Sequence, residues 1–128
     1  MELRYTFKKE ERISSQKEID LLFNEGTSFV SYPLRIIFIE KKAPSVTPSS
    51  VLVNVSKKRF KRAVKRNQIK RLIRESYRLN KHSLLGFLSE KNKELLIAFL
   101  YISNEVSSYK EIEKAMVKAI GTLKEKLS

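Results

Sequence analysis

The chain has 128 residues, 41% of them hydrophobic and 9% aromatic, which suits one folded domain over residues 1–128 and excludes a disordered polar chain. Its 27 lysines and arginines outnumber its 14 acidic residues, and the formal net charge of +13 favours a nucleic acid as partner, with an anionic membrane surface as the lesser alternative. No cysteine is present, which excludes disulfides, thiolate metal sites and cysteine nucleophiles.

The chain shows no segment that would send it to or across a membrane. Its first residues lack the apolar core that a signal peptide needs, and the longest apolar run, residues 95–102, is too short to span a bilayer. We therefore expect a cytoplasmic protein.

The first predicted element is a short helix. Residues 1–12 are polar and charged and are predicted to form a partly ordered lead-in. Ser14 or Ser15 can cap a helix that runs to about Asn24, and Gly26 supplies its end. The apolar positions that recur at helical spacing are Ile19, Leu22 and Phe23.

Extended segments follow this helix. Residues 27–32 form a short one, and residues 34–40, rich in β-branched and aromatic side chains, predict a strand. A proline-containing loop over 41–50 leads to a further strand at 50–56, and its length predicts that these two strands pair as antiparallel neighbours. The latter strand would place Val51, Val53 and Val55 on one face and Leu52, Asn54 and Ser56 on the other.

The charge of the chain is concentrated in residues 57–78. Eleven of these residues are Lys or Arg and the only acid is Glu75, so the segment holds +10 of the formal +13. A charged helix that only faces solvent usually alternates acidic with basic residues, so that they pair along the helix. This segment has almost no acids, which indicates that its cations are unpaired and that the partner is an anion.

Periodicity divides this segment into a basic loop and an amphipathic helix over 60–79. The loop would hold Lys57, Lys58, Arg59, Lys61 and Arg62. The buried face of the helix would consist of Ile69, Leu72, Ile73, Ser76 and Tyr77. The opposite face would present Asn67, Lys70, Arg71, Arg74 and Arg78.

The last part of the chain predicts a turn, a strand and a helix. Residues 79–92 contain Gly86 and predict a turn with a short helical piece. The apolar run at 93–102 predicts a central strand buried on both faces, and residues 106–127 predict a helix capped by Ser107 or Ser108. The order α-β-β-β-α-β-α indicates an α+β fold in which helices pack against a small mixed sheet of about four strands.

Residues 55–75, reading VSKKRFKRAVKRNQIKRLIRE, resemble the signature region of the bacterial ribonuclease P protein subunit. The shared features are SKK, a short variable loop, AV, and a helix with an RN-IKR pattern. The pattern departs at Gln68, where the family has a second arginine after the asparagine. The resemblance implies a left-handed β-α-β crossover, an exception to the general rule for such units.

The resemblance also implies an accessory role in removing the 5′ leader of precursor tRNA. In bacterial ribonuclease P the RNA subunit carries the active site and the Mg²⁺ ions, so the implied partners are that catalytic RNA and precursor tRNA, with the free protein a monomer. By resemblance, the residues expected at the RNA are Lys57, Lys58, Arg62, Lys65, Arg66, Asn67, Lys70, Arg71 and Arg74. Those expected to line a cleft for the leader are Ile19, Phe23, Ile37 and Asn54.

The chain itself offers no catalytic constellation. Asp20 is its only aspartate, and His82, expected as an incidental surface residue, is its only histidine. Its glutamates lie in charge-mixed stretches beside Lys or Arg, so neither a carboxylate metal cluster nor a histidine pair can be assembled. We therefore predict no catalytic residue and no metal ligand in this chain.

Other functions remain open from the residues. A generic RNA-binding or ribosomal protein shares the same composition, and only the spacing of the signature separates the two. A helix-turn-helix DNA binder is disfavoured because strand-like segments flank the basic helix. A membrane-surface protein is disfavoured because the apolar face of the basic helix is needed for the core and is not free to enter a membrane.

Overall fold

The computed structural model describes residue 13 and residues 15–41 and 49–128. The predicted lead-in at 1–12, the alternative cap Ser14 and most of the loop at 41–50 lie outside the described residues. The elements are α1 (Gln16–Glu25), β1 (Thr27–Ser31), β2 (Leu34–Glu40), β3 (Ser49–Val55), α2 (Ala63–Asn80), α3 (His82–Lys91), β4 (Leu95–Tyr101) and α4 (Tyr109–Leu127).

The four strands form one mixed sheet in the order β1-β2-β4-β3. Strand β2 is antiparallel to both β1 and β4, and β3 is parallel to β4. The predicted pairing of residues 34–40 with 50–56 is therefore wrong, because β4 lies between those strands. Six of the seven β4 residues are buried, and a strand apolar on both faces belongs in the interior of a sheet.

The sheet separates two apolar layers. The larger core joins α2, α3 and α4 to one face and includes Val51, Val53 and Val55, as the alternation in this strand predicted. The smaller cluster lies under α1 on the other face. The mixed α+β class with four strands is confirmed, and the handedness of the crossover from β3 to β4 stays a prediction of the resemblance.

Two helices begin at the predicted serine caps. Ser15 Oγ accepts from the amide of Glu18 at 3.5 Å, and Ser108 Oγ accepts from the amide of Glu111 at 3.2 Å. The last helix begins three residues later than expected, because the hydroxyl of Tyr101 binds the preceding segment, accepting from the amide of Ser107 at 2.9 Å.

Two further helix boundaries differ from the prediction. Helix α2 begins at Ala63 rather than at residue 60, because Phe60 is buried as part of the loop before it. Residues 82–91 form a continuous ten-residue helix, α3, instead of a turn with a short helical piece. Gly86 is exposed inside it, and Asn92, in the left-handed conformation with φ 58°, ends it.

Candidate nucleic-acid interface

The loop between β3 and α2, residues 56–62, holds its basic side chains on a fixed support. The amides of Arg59 and Phe60 both donate to the carbonyl oxygen of Ser56, at 3.2 and 3.1 Å. Phe60 is buried, and its ring centroid lies 5.9 Å from that of Tyr101 in β4. This ring anchors the loop to the sheet. The exposed basic side chains around it are Lys57, Lys58, Arg59, Lys61 and Arg62.

Arg66 connects this basic loop to α2. Its Nη1 atom donates to the carbonyl oxygens of Phe60 and Lys61, each at 2.8 Å. Arg66 was predicted as an RNA contact, and the structure gives it in addition a positioning role. A guanidinium that holds two loop carbonyls fixes the loop against the first turn of the helix, and only its remaining donors are available to a ligand.

The start of α2 is favourable for an anion. Arg62 occupies the cap position without a side-chain hydrogen bond, and the first turn contains no acid. The first amides of a helix lack intrahelical partners and carry the positive end of its dipole. Val64 in this turn is 77% exposed, beside Lys65, so an apolar contact lies among the cations.

The amphipathic division of α2 is confirmed, except that Leu72 is only half-buried against the core. Ile69, Ile73, Ser76 and Tyr77 are buried, and the hydroxyls of Tyr77 and Ser49 lie 2.6 Å apart, connecting the helix to β3. Gln68 is exposed, so the missing arginine of the signature removes a surface cation. Of the predicted RNA-contacting residues, Lys57, Lys58, Arg62, Lys65, Asn67 and Arg71 are exposed, and Arg66, Lys70 and Arg74 are half-buried.

The expectation that the cations of this helix are unpaired is wrong for Arg78. Its Nε atom donates to Oε2 of Glu75 at 3.1 Å, in an i,i+3 ion pair that is partly exposed. The hydrogen bond from Arg78 lowers the pKa of the Glu75 carboxyl below its ordinary value. The pair reduces the net charge at the C-terminal end of the helix, so the basic surface is strongest at the loop and the first turns.

The second candidate surface lies on the α1 side of the sheet. Leu22, Leu96 and Ala98 form its buried centre, and Ile19 and Ile37 pack half-buried around them. Of the four predicted cleft residues, these two isoleucines therefore belong to one cluster. The other two are more accessible: Phe23 is 44% exposed, and Asn54 is exposed.

Strand register places a row of side chains across this face. Val30 pairs with Arg35, Arg35 with Leu100, and Leu100 with Asn54, which is three residues before Lys57 in the basic loop. The row thus runs from the β1 edge to the basic loop. Val30 is 57% exposed and Arg35 is exposed, and neither was among the predicted site residues. The alternation of LRIIFIE, which puts Arg35 on the face of Ile37, could have identified the arginine.

The described residues include no group of three or more His, Asp and Glu side chains that could hold a metal ion. His82 is the first residue of α3 and half-buried, rather than lying on the surface. Within the same described part of the chain, the helices are all too short or too polar to cross a membrane.

The fold and these surfaces define a small basic α+β protein suited to binding a polyanion. The sequence model of the family described as Ribonuclease P matches residues 7–124. A curated relative, the ribonuclease P protein component of Porphyromonas gingivalis strain W83, is 47% identical over 112 residues, which cover 88% of this chain and 82% of the relative. This chain belongs to the ribonuclease P protein family.

Solved structures agree on the fold. The RNase P protein of Staphylococcus aureus superposes with a TM-score of 0.70 at 21% sequence identity, covering 90% of this chain and 95% of that one. The RNase P protein from Thermotoga maritima gives a TM-score of 0.69 at 20% identity, with 88% and 96% covered.

Proposed function

We propose that this chain is the protein subunit of ribonuclease P, which binds the catalytic RNA and the 5′ leader of precursor tRNA and so promotes endonucleolytic removal of the leader. The observation that carries the proposal is the exposed basic surface of the loop and α2, in a chain of this family. Catalysis belongs to the RNA subunit, and Mg²⁺ acts as the ion of the RNA–protein complex.

The basic loop and α2 are proposed to bind the catalytic RNA. Arginine suits this task because its planar guanidinium binds phosphate oxygens with two parallel hydrogen bonds, and Arg71 is exposed for such contacts. Asn67, exposed on the same helix, can bind a base edge or a 2′-hydroxyl. Phe60 and Arg66 would act indirectly, by holding the loop that presents Lys57 and Lys58.

The electrostatic contribution is expected to be the largest. Ribonuclease P must bring together two polyanions, its RNA and the precursor tRNA. A protein with a formal charge of +13 lowers their mutual repulsion and therefore the Mg²⁺ concentration that cleavage requires.

The α1 side of the sheet is proposed to bind the single-stranded leader. Unpaired bases stack on exposed aromatic rings, and Phe23 offers such a ring beside the apolar cluster of Ile19 and Ile37. Asn54 and Arg35 add hydrogen-bonding groups on the same face, with Asn54 next to the basic loop. One stacked base contributes roughly 1–3 kcal/mol, so Phe23 would distinguish precursor from mature tRNA.

The leader assignment is tested by Phe23→Ala in the assembled holoenzyme. The dissociation constants of precursor and mature tRNA are measured at one salt concentration. We expect the variant to bind precursor tRNA at least about fivefold more weakly and mature tRNA unchanged. Leu21→Ala is the matched control, because Leu21 is 40% exposed on the same helix and lies about 160° around it from Phe23.

Equal losses of affinity for both tRNAs, or no loss of precursor affinity in Phe23→Ala, would contradict the leader assignment.

We further propose that the free protein is a monomer in the cytoplasm. Sedimentation of the free protein at micromolar concentration tests the first of these statements.

A further inference from the structure

A cleft on the opposite side of the sheet from α1 forms where the β1–β2 turn meets α4. It has a volume of about 350 Å³, in the range of small-ligand pockets, and belongs to neither surface described above. Its lining residues are Ser31, Tyr32, Pro33, Glu111, Lys114, Ala115 and Lys118.

The walls of the cleft are held in place. Ser31 is buried, and its hydroxyl donates to the carbonyl oxygen of Ala115 in α4 at 2.8 Å. The carbonyl oxygen of Pro33 accepts from the amide of Ile102 at 2.9 Å. The turn is thus bound to α4 on one side and to the end of β4 on the other. Between these two anchors Tyr32 remains 68% exposed. A large aromatic ring left in solvent on a fixed turn is a pre-organised stacking surface.

The other wall is basic. Lys114 and Lys118 are one helical turn apart in α4, and both are exposed. Within the described part of the chain neither makes an ion pair or a side-chain hydrogen bond. Among the described residues that line the cleft, Glu111 is the one acid, and it accepts a hydrogen bond from Ser108 Oγ at 3.2 Å as part of the helix cap. The two ammonium groups are therefore available to phosphates.

We propose that this cleft binds a nucleotide of single-stranded RNA, with the base stacked on Tyr32 and the flanking phosphates bound by Lys114 and Lys118. An aromatic ring with adjacent cations is the usual composition of a single-strand site, and the net charge of +13 favours a polyanionic ligand. This inference does not rest on the assignment of the leader to the α1 side.

The cleft is a separate site because of its position in the sheet. It lies at the β1 edge, whereas the basic loop follows β3 at the opposite edge, three strand spacings or about 14 Å away. The protein would then contact RNA at two edges of its sheet.

The test is a titration of the full ¹⁵N-labelled chain with single-stranded pentauridylate, followed by amide chemical shifts. We expect saturable shifts at Ser31, Ala115 and Lys118. The dissociation constant read at Ala115 should rise at least about fivefold in Tyr32→Ala and stay within twofold in Tyr32→Phe. Lys114→Ala should also weaken binding there. Lys91→Ala is the matched control, because Lys91 is exposed in the last turn of α3, outside the cleft, and its loss should change nothing at Ala115.

The same spectra report folding, and the signal of Asn54 reports the α1 side independently. Shifts confined to Asn54 and the basic loop would overturn the proposal and leave the proposed function intact. An equal response to inorganic tripolyphosphate, or unchanged affinity in Tyr32→Ala, would reduce the cleft to an anion site and overturn nucleotide stacking. Shifts at Ala115 on concentrating the protein without RNA would assign the cleft to a second copy, and shifts with an acidic peptide alone would assign it to a protein.

Discussion

Gly26, at the junction of α1 and β1, is required by space and not by backbone conformation. Its φ of −70° and ψ of 154° are open to any residue. A Cβ atom there would lie 2.3 Å from the carbonyl oxygen of Leu22 and 2.7 Å from Cγ2 of Ile37. Both distances are far below van der Waals contact, and the first involves backbone that cannot rotate away. Gly26→Ala must therefore move the end of α1 away from β2.

The size of the effect follows from two opposing terms. Overpacking of this kind costs about 1–3 kcal/mol, and replacing glycine lowers the entropy of the unfolded chain, which offsets about 0.4–1 kcal/mol. We expect Gly26→Ala to lower the free energy of unfolding by about 1–2 kcal/mol. Gly121→Ala is the matched control, because a Cβ there meets no atom within 4 Å in the middle of α4. Its stability should rise by up to about 1 kcal/mol.

Urea unfolding of the wild type and both variants measures the difference, which should reach about 2 kcal/mol between the two alanine variants. Because α1 carries Ile19 and Phe23, Gly26→Ala should also weaken precursor tRNA binding in the holoenzyme. A Gly26→Ala protein as stable as the wild type, beside a stabilised Gly121→Ala, would refute the packing of α1 on β2 described here.

Three further predictions concern α2 and its contact with α4. Arg71→Ala should reduce the slope of log affinity for the catalytic RNA against log salt by about 0.7–0.9, the value for one phosphate contact, whereas Arg78→Ala should change it less because Glu75 already binds that guanidinium. Glu75→Gln should strengthen RNA binding and steepen the same slope, and weaker binding would contradict the role given to the pair. Burial, with the hydrogen bond to Glu113, raises the pKa of Tyr109 to about 12. Its stabilising contribution is therefore complete below the ordinary tyrosine pKa of about 10 and is lost as the pH rises through about 12. An absorbance titration should show a late tyrosine ionisation that Tyr109→Phe removes.

The local features of this chain could be predicted from its sequence, because each depends on neighbours along the chain. The serine caps of α1 and α4 follow from residues three positions apart, and the two faces of α2 follow from helical periodicity. The position of Asn54 on the opposite face from Val53 follows from strand alternation.

Most of the errors came from contacts between distant segments. The strand order could not be predicted because the sequence of β2 is equally compatible with pairing to β3 or to β4. Only packing in the folded core places β4 between β2 and β3. The role of Phe60 depends on its contact with Tyr101, some forty residues later in the chain. Without that contact, the sequence pattern assigns Phe60 to the start of the basic helix. The ion pair of Arg78 with Glu75 is different, because it could have been predicted from the sequence: the two residues are three positions apart on one helix.

The most direct test of the proposed function is 5′ processing of a precursor tRNA at low Mg²⁺ by a transcribed ribonuclease P RNA from the same organism, with and without this protein. We expect the protein alone to be inactive and its addition to restore cleavage at the mature 5′ end, with the Lys57→Ala/Lys58→Ala/Arg71→Ala variant needing more Mg²⁺ than the wild type. A protein that binds this RNA and yet never restores cleavage would contradict the subunit role and leave a general RNA-binding protein.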